Sequence, residues 1–103
     1  MDLQDLVYYL ADQLPDNEKS NLRSQIIRAV TSIGLNIAEG STSTSDKDQG
    51  NFIRIAIRSL IEVIACLLMM ERRSYGDPDK RDATFALCTK LFAKLQAFKR
   101  TLN

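Results

Sequence analysis

The chain has 103 residues, a formal net charge of +1, 45% hydrophobic and 26% charged residues, and no histidine. Domains commonly run to about 100–150 residues, so residues 1–103 are read as a single domain, and the composition excludes disorder. Without imidazole the commonest general base and the usual metal ligand are missing, so no cofactor or metal is expected and an enzyme is the weakest reading.

Leu3, Leu6, Val7, Leu10, Ala11 and Leu14 recur at helical spacing, and Pro15 with Asp16 ends this first helix. Asp2 and Asp5 stand where a secretory leader would be positive, so the expected compartment is the cytoplasm. Asp16 is expected to cap a second helix that runs to about Glu39, with Gly40 as a left-handed residue closing it. Ser41 to Ser45 reads as a polar loop, and Ser45 with Asp48 three residues on predicts the start of a third helix reaching about Ser74. Tyr75 to Pro78 breaks it, with Asp77 as N-cap and Pro78 as first residue of a fourth helix. There Thr84, Cys88, Leu91, Leu95, Phe98 and Leu102 alternate spacings of four and three, and Phe85 and Phe92 widen the seam. Short connections then favour an all-α, antiparallel up-down-up-down four-helix bundle. Both cysteines, Cys66 and Cys88, fall on apolar faces and are expected in the core.

The third helix carries an excess of apolar surface. Between Phe52 and Met70 the apolar residues sweep roughly 200° or more, against roughly 100° for a helix packed on one side. Only Arg54, Arg58 and Glu62 interrupt it, on one narrow stripe. Those charges argue against a membrane span, since each costs about 2.5–3.5 kcal/mol at the bilayer centre. A soluble oligomer is the expectation, with one side of this helix facing its own core and the other a second copy of the chain.

Polar positions organise the second helix. Gln25, Arg28, Ser32, Asn36 and Glu39 fall on one stripe beside the apolar row Leu22, Ile26, Ala29, Ile33 and Ile37. A polar ladder on the border of a core sets helix register or subunit contacts more often than it binds a ligand. Arg58 and Glu62, four apart, are expected to pair along the third helix. Charge is also uneven: residues 1–18 hold five carboxylates and no base, whereas Lys80, Arg81, Lys90, Lys94, Lys99 and Arg100 outnumber Asp82 in the last segment. The two ends can complement each other or form a basic face, though a solvated helix surface is the blander reading.

Leu14-Pro15, Glu18-Lys19, Gln25-Ile26, Arg28-Ala29, Ser32-Ile33 and Asn36-Ile37-Ala38-Glu39-Gly40, followed by Phe52, Ile55-Ala56, Ser59-Leu60 and Glu62, carry a resemblance. The chain resembles the bacterial four-helix bundle proteins named for open reading frames in 23S rRNA intervening sequences. These are similar in turn to the accessory variability proteins of diversity-generating retroelements. The resemblance implies a four-helix bundle, a homopentamer, and association with nucleic acid or with a reverse transcriptase. The number five comes from the resemblance alone.

The leading expectation is therefore a non-enzymatic oligomer associated with RNA, DNA or an RNA/DNA hybrid. Its candidate phosphate contacts are Arg23, Arg72, Arg73, Lys90, Lys94 and Arg100. The ladder on the second helix together with Arg54, Arg58 and Glu62 is the candidate interface. The alternative is an oligomeric protein scaffold that touches no nucleic acid, which the near-neutral net charge favours.

Overall fold

A computed structural model of the protein describes residues 2–102. Four α-helices follow in order: α1 (Leu3–Asp12), α2 (Ser24–Ser41), α3 (Asp46–Arg72) and α4 (Pro78–Arg100), and no strand occurs among the described residues. α2 and α3 run in opposite directions. Gly40 meets Phe52, Ser32 meets Ser59 and Arg28 meets Glu62 across the α2–α3 pair, so rising numbers on one helix face falling numbers on the other. α2 with α3 is the most extensive pairing; α3 with α4 and α1 with α4 complete the packing.

Local signals placed two of the helix starts. The Ser45 hydroxyl accepts from the Asp48 N–H at 3.1 Å, and the Asp77 carboxylate accepts from the Asp79 N–H at 2.9 Å ahead of Pro78. Each satisfies a donor that the first turn leaves without a partner. The turn before α4 needs left-handed backbone at Ser74 (φ 57°) and Gly76 (φ 76°). A Cβ on Gly76 would stand 3.1 Å from Leu10 and 3.3 Å from Met70, so this turn is pressed onto the core.

Two expectations give way. Asp16 does not cap a continuous second helix: a 3₁₀ turn (Asp16–Glu18) and a π-helical turn (Lys19–Arg23) precede α2. The cause lies at Glu18, which is turned inward and buried, accepting from the Tyr75 hydroxyl at 3.1 Å and from the Asn21 amide at 3.0 Å. Gly40 is no left-handed cap either. It lies inside α2, buried, where a Cβ would come 3.3 Å from the Phe52 Cβ, and the helix runs on to Ser41 with Thr42 as its C-cap. Glycine is needed there for close helix approach.

The core runs the length of the bundle: Val7, Leu10, Ile26, Ile33, Leu60, Val63, Met70 and Cys88 are among its buried residues. α3 is flanked by both α2 and α4, and so about half its circumference is covered within the chain. That arrangement absorbs most of the apolar excess noted in the sequence. Ile55, Ile61, Leu68 and Met69 remain on the outer face, 43–51% exposed. In α4 the seam holds at Thr84, Cys88 and Leu95, while Phe98 and Phe85 reach solvent. Among the described residues no helix is long and apolar enough to cross a membrane.

Candidate functional site

The ladder on α2 meets α3 through its middle rungs. Ser59 donates to the Ser32 hydroxyl at 2.8 Å, and the Asn36 amide donates to the Ser32 hydroxyl at 3.1 Å and to the Ser32 carbonyl at 2.8 Å. Arg28 stands 4.0 Å from Glu62. Glu62 thus faces across the helix pair toward Arg28, and the expected ion pair with Arg58 along α3 is not formed. Both partners are largely exposed, and such pairs contribute little, typically about 0–1 kcal/mol. Gln25 donates back to Asn21 at 2.8 Å, and the Glu39 side chain is exposed. The ladder therefore reaches α3 by a hydrogen bond at Ser32, to Ser59, while Asn36 braces Ser32 within α2. Ser59 was not among the expected interface positions, because its polar character is visible in the sequence but its partner 27 residues away is not.

The six expected phosphate contacts do not converge. Arg23 is engaged by Asp12 at 3.3 Å near the start of α2. Arg72 and Arg73 close α3 beside Met69. Lys90 and Lys94 line a seam between α1 and α4 together with Leu3, Leu87, Leu91 and Asp2, so acidic α1 and basic α4 do meet. Lys80 borders the same seam, with its ammonium 5.8 Å from the Tyr9 ring centre. Arg100 alone joins a dense cationic cluster.

That cluster occupies a groove of about 560 Å³ where the start of α3 meets the end of α4. Lys47 and Arg54 come from α3, Lys99 and Arg100 from α4, with Asn51 and Gln96 between them and no carboxylate among the described residues of its lining. The Arg54 guanidinium donates to the Asn51 carboxamide oxygen at 2.8 Å, which steadies it at the groove edge. Asp46 and Asp48 share the first turn of α3 but lie outside the lining. Of these four cations the sequence reading had marked Arg100 as a phosphate contact and Arg54 as interface. Lys99 was counted in the basic last segment without being assigned a phosphate contact and Lys47 was not singled out, since their proximity depends on which end of α3 packs against which end of α4.

The cysteines sit in the core with both thiols pushed up to about 11; burial is the cause at Cys88 and the main cause at Cys66, where Glu62 adds to it and Arg28 opposes it. At pH 8 the thiolate fraction is then about 100-fold below that of an unperturbed cysteine. Iodoacetamide at pH 8 is expected to label neither thiol on the timescale that labels the urea-unfolded chain, with intact mass as readout. Rapid labelling of the folded protein would contradict the packing around α3 and α4. Among the described residues no group of His, Cys, Asp and Glu is arranged to hold a metal ion.

The structure resembles that of a protein of unknown function from the S23 ribosomal protein family of Bacteroides thetaiotaomicron VPI-5482. The TM-score is 0.74 at 24% identity over 94% of this chain and 97% of that one, a likeness of fold. No curated protein matches the chain. The sequence pattern of the family described as 23S rRNA-intervening sequence protein matches residues 1–97, through all four helices and the Ser32–Ser59 register contact. The chain belongs to the 23S rRNA-intervening sequence protein family.

Proposed function

We propose that this protein is a cytoplasmic, non-enzymatic homo-oligomer of up-down-up-down four-helix bundles that associates with nucleic acid through basic surfaces repeated by its symmetry. The observation that carries the nucleic-acid part is the clustering of Lys47, Arg54, Lys99 and Arg100 on one groove. Phosphate neutralisation with release of counterions supplies most of the affinity in such complexes. A net charge of only +1 over the chain makes one isolated patch weak. Repetition raises avidity by about 10²–10⁴ when several patches engage one polymer. The assembly part is supported by the outer side of α3, where Ile61 and Leu68 on one line and Ile55 and Met69 on another, about 100° round the helix with Arg58 between, leave apolar surface in water. Five copies is the number the family resemblance implies.

The same exposed apolar surface favours a second reading, a scaffold that presents it to another protein, such as a reverse transcriptase, and binds no nucleic acid. One purified sample distinguishes the two. Native mass spectrometry is expected to give a multiple of 11.6 kDa, and absorbance at 260 nm is expected to reveal bound nucleic acid that nuclease or high salt removes. An oligomer that binds no polynucleotide even at low salt supports the scaffold instead. A monomer with clean absorbance defeats both.

A further inference from the structure

The length and lining of the cationic groove between α3 and α4 bear on which form of nucleic acid it fits. Lys47 and Arg54 are seven residues apart, about 10 Å of helical rise and roughly 20° short of two full turns, so they lie along one edge. Lys99 and Arg100 form the opposite edge. A lone phosphate spans only part of that length, whereas successive phosphates of a duplex strand follow at about 3.4 Å of axis. Between the edges, the carboxamides of Asn51 and Gln96 offer donors and acceptors suited to phosphate oxygens and sugar hydroxyls.

The apolar content of the lining decides the rest. Among the described residues of the lining, Leu102 is the one large apolar side chain and none is aromatic. Single strands draw about 1–3 kcal/mol per base from stacking on such rings. A duplex keeps its bases stacked on one another and presents backbone, which proteins recognise through phosphates and 2′-hydroxyls. We infer that this groove binds the sugar–phosphate backbone of a double-stranded nucleic acid without reading its sequence. The inference rests on the nucleic-acid reading proposed above and specifies its site and its ligand.

The test is fluorescence anisotropy with a 20-base-pair RNA duplex and with either strand alone, across a salt series. It uses the full-length protein, an Arg54→Gln/Arg100→Gln variant of the groove, and a Lys90→Gln/Lys94→Gln variant of the α1–α4 seam. All four side chains are exposed, and unchanged helicity by circular dichroism verifies the fold. The duplex is expected to bind at least about 10-fold tighter than the strand. The groove variant is expected to lose at least about 10-fold and to flatten the salt slope by about one or more, while the seam variant keeps the slope. Equal binding of strand and duplex, an unchanged slope in the groove variant, or an equal or greater loss in the seam variant overturns the inference and leaves the nucleic-acid reading standing. No binding of any polynucleotide by the unmodified protein at low salt removes both.

Discussion

Leu60→Ala is expected to lower the unfolding free energy by about 2–5 kcal/mol, a large share of the roughly 5–15 kcal/mol available to a domain of this size. Leu60 is fully buried midway along α3, the helix that touches both α2 and α4, so a cavity there is lined from three elements. Its neighbour Ser59 is tied to Ser32 at 2.8 Å, which restrains α3 from sliding to fill the space. Residual cavity volume adds to the lost transfer energy when surroundings cannot relax. With a urea slope of about 1–3 kcal/mol per molar, the midpoint should fall by about 0.7–5 M at unchanged slope and fixed protein concentration. A loss under about 1 kcal/mol would show that this part of the bundle collapses easily.

Ile61→Asp combined with Leu68→Asp is expected to dissociate the oligomer and leave the subunit fold intact. The two side chains are 51% and 47% exposed in the single chain, and seven residues of spacing place them on the same outer stripe with Ala65 between. Each apolar side chain buried between copies is worth about 1.5–3 kcal/mol, so losing two weakens each contact by about 10²–10⁴. Carboxylates left without partners in that seam add a desolvation penalty. Light scattering after gel filtration should report the monomer mass with normal helicity. Leu35→Asp, on α2 at 62% exposure, serves as the control that retains assembly. An oligomer that survives the double substitution would assign the stripe to a different protein.

Features governed by neighbours in sequence were legible before the fold was seen. Ser45 and Asp77 cap α3 and α4 because a hydroxyl or carboxylate within three residues of a free N–H needs no distant partner. Asp16 and Gly40 depart from expectation for the opposite reason. Glu18 is drawn inward by Tyr75, 57 residues away, and the chain takes 3₁₀ and π turns there in place of a capped helix. Gly40 matches the pattern of a helix end, yet Phe52 on the facing helix determines its role. The ladder was visible as a stripe, but only the fold gives Glu62 to Arg28 and Ser32 to Ser59. The groove was the least legible part, since its cations belong to segments separated by nearly the whole of α3 and α4.

The tight contact at Gly40 bears on how the chain acquires its structure. α2 ends at Ser41 and α3 begins at Asp46, so the hairpin between them closes over four intervening residues, the smallest entropic cost of ring closure for its extensive interface. Sequence-local pairings of this kind form early and rapidly. The α2–α3 hairpin is thus the natural nucleus, on which α1 and α4 dock, and its amides should be the last to exchange with deuterium.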